Sequence, residues 1–377
     1  MEHLVDVMPT GPEQPMRLAL GLAEQARWIC PPNPAVGCVL VGAAGEVLGQ
    51  GHTQATGQAH AEVMALRDAA ARGHTVVNAT AYVTLEPCAH QGRTGPCCDA
   101  LVAAGVAKVV ASLEDPNPRV AGRGFAKLRA AGVEVVVGPG AQASRELNIG
   151  FFSRMVRGIP WVRMKSAISL DGRTALSNGS SQWITSAAAR EDGHAWRARA
   201  CAVLTGVGTV LADDPQLNVR LPGVSRQPSL ILIDSQLQTP LDARLWDVDS
   251  RSVLIYTAIS DAARHQPFEA LGARVTALPD ARGKVDLAAM LKDLARHEIN
   301  EVHVEAGHKL NGSLLREGLV DELLIYQAPK LLGEGVGLAA LGPFTELDQG
   351  IALEWREVQR VGPDLRLRAD LAGRNQF

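Results

Sequence analysis

Three stretches of this 377-residue chain carry side chains able to grip a metal ion: Gln-Ala-His60-Ala-Glu62-Val, Thr-Leu-Glu86-Pro87-Cys88 and Gly-Pro96-Cys97-Cys98. Zinc takes imidazole nitrogen and thiolate sulfur, and a catalytic zinc site keeps three protein ligands and leaves its fourth position to water. His60, Cys88 and Cys97 supply that set, with Cys98 a competitor for the third place. Water held there loses a proton near pH ~7 and becomes a hydroxide nucleophile. Replacing a ring amino group by oxygen also moves protons, from the water to a ring nitrogen and on to departing ammonia. Glu62, just beyond His60, is the carboxylate placed to carry them.

His-x-Glu followed by Pro-Cys and a further Cys is the signature of the zinc deaminases, although their usual spacing is Pro-Cys-x-x-Cys. Here the segment from Ala89 to Pro96 separates Cys88 from Cys97. Chelation tolerates the excursion, because thiolates must converge in space rather than in sequence. The run from Thr84 through the Ala-His-Gln-Gly-Arg-Thr-Gly-Pro excursion to Cys97 resembles the deaminase domain of riboflavin biosynthesis enzymes. That pattern assigns the third ligand to Cys97, following Pro96.

Composition sets outer bounds. The length suggests two or three domains, and 46% apolar with 20% charged residues is ordinary for a globular protein. A formal charge of -3 gives no electrostatic footprint for nucleic acid. Met1 to Pro15 has neither a basic start nor an apolar signal core, and no apolar run reaches membrane-spanning length. Six cysteines in a chain this long do not suggest a disulfide framework. A cytoplasmic enzyme with metal-binding cysteines is the expectation; Cys30 and Cys38 are packing residues.

The elements that must position the metal residues alternate. Met16–Trp28 has helical spacing, and Ala35–Val41 and Glu46–Gly51 read as strands. The helix over Ala59–Arg72 presents His60 and Glu62 in its first turn, a strand over Ala79–Leu85 delivers Cys88, and a helix over Pro96–Ala104 opens on Cys97. Strands Val106–Leu113 and Val133–Val137 flank a further helix ending at Ala131, which argues for a layered α/β sheet. Asn33-Pro-x-Val-Gly-Cys-Val-Leu-Val resembles the opening strand of cytidine-deaminase-like folds, which implies Asn33 at the base pocket, and His52, opening the loop after Gly51, is a further candidate for substrate contact. Gln142–Gly150 is a helix-like connector, and the first domain is placed at 1–150, the second at 151–377.

In the second domain, Ser186 or Thr185 caps a helix running to Arg199. Ala202–Thr205 ends on Gly206 and Gly208 ahead of a helix, and Val302–Gly307 opens onto a helix over Lys309–Glu317. Backbone at such helix starts can approach a phosphate, yet no Gly-x-Gly-x-x-Gly follows, so an ordinary dinucleotide fingerprint is absent. A hairpin broken at Gly362-Pro363 closes a mixed sheet. Asp171 and Asp214 read as turn-capping residues.

Met-Lys165-x-Ala167-x-Ser-Leu-Asp-Gly, Ser181-Gln-Trp183-Ile-Thr, Gly-x-Gly-Thr209-Val-Leu-Ala-Asp213-Asp-Pro and Ala-Pro-Lys-Leu-Leu-Gly resemble the reductase domain of riboflavin biosynthesis enzymes. The resemblance implies a cytidine-deaminase-like α/β/α domain followed by a dihydrofolate-reductase-like α/β domain. It implies zinc and NADPH as cofactors and a pyrimidine ribose phosphate as substrate. NADPH contacts fall on Ala167, Trp183, Thr209, Asp213, Ser235 and the turn Gly307, His308, Lys309, Leu310, Asn311, Gly312, Ser313. Substrate contacts fall on Ser181, Arg197, Leu217, Arg220 and Glu305, with Lys165 added. Arg197 and Arg220 suit a phosphate dianion, since guanidinium forks match its oxygens. Glu305-Ala306-Gly307 stands where many members have Glu-Gly-Gly, which leaves the backbone accessible provided Ala306 keeps a negative φ. A homo-oligomer is expected, with no nucleic-acid or membrane partner. Two other readings stand beside this one: a nucleoside or nucleic-acid base deaminase with an unrelated C-terminal domain, and a noncatalytic zinc-stabilised binding protein, against which Glu62 argues.

Overall fold

The computed structural model describes residues 13–89, 95–118, 120–224 and 226–377. The centre of the excursion between Cys88 and Cys97, and most of the stretch read as lacking a signal core, lie outside them. The chain divides into two compact units, Met1–Arg157 and Gly158–Phe377.

The first unit runs α1 (Gln14–Ala26), β1 (Gly37–Val41), β2 (Val47–His52), α2 (Ala61–Ala71), β3 (Thr80–Val83), α3 (Cys97–Ala103), β4 (Lys108–Ala111), α4 (Arg123–Ala130), β5 (Glu134–Val137), α5 (Ala141–Leu147) and α6 (Ile149–Arg157). Its sheet has the order β2-β1-β3-β4-β5, antiparallel through the first three strands and parallel through the last three. Alternation along β1 serves two helices. Val39 and Val41 face Met16 and Ala19 of α1, while α2 lies on the opposite face over Gly49 and Gly51 of β2. A methyl group at Gly51 would stand 2.5 Å from Cβ of Met64 and 2.6 Å from N of Ala65, so glycine is what lets α2 sit directly on the sheet. That close seating brings the start of α2, and with it His60 and Glu62, to the ends of β1 and β3. α6 extends the first unit past residue 150: Phe151 and Phe152 are buried, and a helix forms where the sequence showed only a joint.

The second unit runs β6 (Trp161–Ser169), β7 (Arg173–Leu176), α7 (Ala187–Arg199), β8 (Ala202–Gly206), α8 (Val207–Asp213), β9 (Ser229–Ile233), β10 (Val253–Thr257), α9 (Ala262–Ala270), β11 (Ala273–Ala277), α10 (Leu287–Arg296), β12 (Glu301–Val304), α11 (His308–Arg316), β13 (Glu322–Ala328), β14 (Gly335–Gly337), β15 (Leu353–Val361) and β16 (Asp364–Leu371). Nine strands form one sheet in the order β11-β10-β9-β8-β12-β6-β13-β16-β15. Every neighbouring pair from β11 to β13 is parallel, and the β15–β16 hairpin joins antiparallel, as a mixed sheet requires. α10 buries Leu287, Met290, Leu291 and Leu294, a helical stripe, behind an Asp286 cap that accepts from the Ala289 N–H at 2.8 Å. The chain leaves β8 toward β9 and leaves β12 toward β13, on the other side. Strand order therefore reverses between β8 and β12, the kind of point where open parallel sheets hold ligands at the carboxyl ends of their strands.

Candidate active sites

In the first unit, α2 begins directly after His60, β3 leads to Cys88, and α3 begins on Cys97. Three separate elements thus bring one ligand each. His60 Nδ1 lies 3.6 Å from Cys88 Sγ and 3.3 Å from Cys97 Sγ, and all three donor atoms fall within 4.8 Å of one another. A tetrahedral zinc with ordinary bond lengths sets its nitrogen and sulfur ligands about 3.6 Å apart, so the set fits that ion. The Cys97 backbone N–H also points to Cys88 Sγ at 3.4 Å. Hydrogen bonds from Cys97 hold Cys88 down to about 4, while the shared bond and burial push Cys97 up. Thiolate character therefore already resides in the pair.

Cys98 turns elsewhere. It is fully buried, with Sγ 3.1 Å from the Pro87 carbonyl and 3.5 Å from that of Gly124. Cys30 donates to the Asn33 carbonyl at 3.3 Å, and Cys38 is buried in β1. Glu62 is 3% exposed; burial, then the charge on Cys88, raises its carboxyl to about 7. A group titrating there can both accept and return a proton near neutrality. His52 ends β2 with Nδ1 3.1 Å from the Thr53 carbonyl, and Asn33 closes a turn onto the Cys30 carbonyl.

Glu86 carries more than the sequence suggested. Its buried carboxylate accepts from four backbone N–H groups, those of Asp115, Gly122, Gly124 and Phe125. No pattern of side-chain types announces this, because the partners are main chain.

In the second unit the expected residues line the carboxyl ends of four consecutive strands. Ser235 follows β9, Thr209 and Asp213 belong to α8 after β8, Glu305 and Gly307 follow β12, and Lys165 and Ala167 lie on β6. α8 and α11 both start on glycine, Gly206 and Gly307, with no side-chain cap on either. First-turn N–H groups at such ends have no intrahelical partner and favour an anion. The two starts are close: a methyl group at Gly307 would lie 3.9 Å from Thr209 Oγ1. This cradle of uncapped backbone donors fits the phosphates of a dinucleotide. Ala306 is absent from the residues with left-handed backbone, so its methyl group does not force a strained φ.

The run from Gly307 to Ser313 divides. Asn311 donates to the Leu338 carbonyl at 3.1 Å, Gly312 packs against the Ala340 backbone, and Ser313 bonds the Lys309 carbonyl at 3.2 Å. Leu310 rests on Gly206. Backbone at the start of α11, with the half-buried His308 and exposed Lys309 side chains, is what remains for a cofactor. Trp183 is 64% exposed with the Arg190 guanidinium 4.4 Å over its ring, which excludes a core-filling role. Ser181, half-buried, precedes it.

Glu305 is the most heavily tended carboxylate of the cleft. Arg197 meets it fork to fork, Lys165 Nζ lies 3.9 Å away and the buried His303 ring 3.6 Å. Arg197 Nη1 also donates to the Asn218 carbonyl and lies 3.4 Å from His194 Nδ1. Leu217, buried with φ +52°, bends the chain toward that carbonyl. Arg220 is exposed, with Nη1 2.8 Å from Asn218 Oδ1. Asp171 and Asp214 hold loops, as expected of turn caps: Asp171 accepts from the Leu332 and Gly333 N–H groups, Asp214 from that of Arg244. Ser186 caps α7, accepting from the Ala189 N–H at 3.3 Å.

Residues 160–367 match the family model of the RibD C-terminal domain, and residues 10–113 match the cytidine and deoxycytidylate deaminase zinc-binding region. The riboflavin biosynthesis protein RibD of Escherichia coli is 45% identical, covering 93% of this chain and 97% of that protein. Among solved structures, RibD of Acinetobacter baumannii has a TM-score of 0.86 at 40% identity, covering 96% of this chain and 98% of its own. A Thermotoga maritima structure described as a diaminohydroxyphosphoribosylaminopyrimidine deaminase/5-amino-6-(5-phosphoribosylamino)uracil reductase has a TM-score of 0.84 at 30% identity over the same shares. The match across 160–367 removes the reading in which an unrelated domain follows a base deaminase. The first unit is a cytidine-deaminase-like domain and the second a dihydrofolate-reductase-like one. With two domain models in tandem and full-length relatives, the chain belongs to the RibD family of riboflavin biosynthesis proteins.

Proposed function

We propose that this chain performs two successive steps of riboflavin biosynthesis. The first is hydrolytic deamination of 2,5-diamino-6-(5-phosphoribosylamino)pyrimidin-4-one. The second is NADPH-dependent reduction of the ribosyl group to ribityl, giving 5-amino-6-(5-phosphoribitylamino)uracil. The observation that carries it is convergence of His60, Cys88 and Cys97 beside the buried Glu62, in a chain whose other unit matches the RibD C-terminal domain.

Zinc bound by the three ligands supplies the activation of water near neutral pH. Glu62 takes one proton from the attacking water and passes it to the ring nitrogen. It then takes the second from the new hydroxyl on the ring carbon and gives it to the amine, so that the C–N bond breaks, the carbonyl forms and ammonia leaves. In the second unit NADPH supplies the hydride. Backbone donors at the starts of α8 and α11 bind its phosphates, Trp183 with Ser235, Ala167 and Asp213 lines its place, and Glu305 with Lys165 orients the sugar. Arg220 is the guanidinium available to the substrate phosphate, since Arg197 is paired with Glu305, and Ser181 is a further substrate contact. Orientation and exclusion of water do much of the work of such a transfer.

Among the described residues no helix is long and apolar enough to cross a membrane. A cytoplasmic homo-oligomer acting on a small molecule, without nucleic acid, fits this reading. The test is to incubate purified protein with the diaminopyrimidine nucleotide, with and without NADPH, and weigh the products. Ammonia release without NADPH and a further gain of two hydrogens with it are expected; activity on cytidine or RNA instead would overturn the assignment.

A further inference from the structure

Glu86 lies two residues before Cys88, yet its carboxylate does not join the metal donors. Oε2 accepts from the N–H groups of Asp115 at 3.1 Å and Gly122 at 2.9 Å; Oε1 accepts from Gly124 at 2.7 Å and Phe125 at 3.3 Å. An ionised carboxylate has about four lone-pair sites and nothing to donate. All are engaged, so Glu86 can neither ligate the ion nor stand in for Glu62. Its four partners come from the loop after β4, at Asp115 and Gly122, and from the first turn of α4. The same stretch is bolted to the ligand segment twice more. A methyl group at Gly124 would lie 2.1 Å from the Pro87 carbonyl oxygen, and Cys98 Sγ lies 3.5 Å from the Gly124 carbonyl. Gly122 itself adopts φ +74°, a left-handed turn that points its N–H inward.

We infer that Glu86 is a positioning residue of the deamination step, gathering the backbone at Asp115 and at Gly122 to Phe125 against the Pro87–Cys88 segment so that it forms a fixed wall of the site. The inference rests on reading the first unit as the deaminase. Without the four acceptor bonds the wall is held by the Gly124 contacts alone and loosens, while His60 before α2 and Cys97 at the start of α3 keep their places and Cys88 keeps its bond from the Cys97 N–H. Misplacement of a wall packed against the Pro87–Cys88 segment by about 1 Å can cost on the order of 10²-fold in rate.

The test uses the full chain with Glu86→Ala and Glu86→Gln. Alanine removes all four bonds, whereas glutamine keeps one oxygen and hence two of them. Four quantities are read: zinc per chain, kcat and KM for ammonia release from the diaminopyrimidine nucleotide, NADPH oxidation on separately deaminated substrate, and hydrogen exchange of the Gly122, Gly124 and Phe125 amides. Expected are unchanged zinc and NADPH oxidation, faster exchange at the three amides, and a graded loss of deaminase kcat/KM, about 10²-fold for alanine and smaller for glutamine. Wild-type exchange and kcat/KM in Glu86→Ala would overturn the proposal, and so would loss of zinc in both variants. Should the unsubstituted protein release no ammonia, the deaminase reading fails by itself, and the exchange rates still decide whether Glu86 holds the wall.

Discussion

Arg197 and Glu305 meet fork to fork, Nε to Oε1 at 2.7 Å and Nη2 to Oε2 at 2.9 Å, across 108 residues of sequence. Burial alone would raise the Glu305 carboxyl, but Arg197 first, then Lys165 and His303, hold it well below the usual carboxylate range. Its charge is thus complete above the ordinary carboxylate pKa and disappears only as pH falls through the lower folded value. Arg197→Ala should move that loss to higher pH, visible as an upward shift of the acid limb in reductase kcat/KM. Removing one partner of this intramolecular pair costs about 3–5 kcal/mol of folding stability, and the substrate KM should rise more than the KM for NADPH. Equal losses for both ligands would contradict the placement of Arg197 at the substrate.

The proposed deamination uses Glu62 for proton transfer, and its carboxylate is not among the clustered metal donors. Glu62→Gln keeps the shape and removes the carrier, so ammonia release should fall about 10²–10⁴-fold. Zinc content and NADPH oxidation on deaminated substrate should stay as they were. Unchanged ammonia release would take Glu62 out of the mechanism.

Neighbouring cysteines should behave oppositely. Cys88→Ser and Cys97→Ser each remove a donor from the cluster, whereas Cys98→Ser retains a hydroxyl able to reach the Pro87 carbonyl. Elemental analysis should find zinc depleted in the first two and close to one equivalent in the third. The reverse pattern for Cys97 and Cys98 would overturn the ligand assignment.

Glu322 anchors the second unit from within. It accepts from Trp161 Nε1 at 3.0 Å, Arg163 Nε at 2.9 Å and Arg368 Nε at 2.8 Å. Burial would raise its pKa, but Arg163 and Arg368 outweigh that and bring it down to about 2. Its contribution to stability is therefore present above the ordinary carboxylate pKa and lost as pH falls toward about 2. Glu322→Gln leaves the buried Arg163 short of a counter-charge, and urea titration should show a loss of about 3–5 kcal/mol at neutral pH. A change below about 1 kcal/mol would mean that Glu301 alone suffices for Arg163.

The metal ligands were legible because zinc chemistry restricts residue type and the motif is nearly contiguous in the chain. Their carriers followed: the helix expected over 59–72 forms as α2, and the expected strand and helix before Cys88 and at Cys97 form as β3 and α3. Cys97 turns its sulfur toward His60 and Cys88 while Cys98 turns away, a direction that adjacent residues of one type do not encode and that in the sequence only the family pattern favoured. The stretch from β10 to α10 offers no chemical motif, so its place in the sheet emerged only with the structure. Glu86 and the pairing of Arg197 with Glu305 were hidden for another reason. One acts on main-chain atoms, which look alike in every sequence, and the other joins residues brought together only by the sheet.

The reversal of strand order between β8 and β12 has an evolutionary reach. The gap there arises from the path of the chain, and no rim side chain creates it. Exchanging rim residues would therefore retune the occupant without erasing its berth. A descendant that abandoned hydride chemistry would still inherit a ready receptacle for anions.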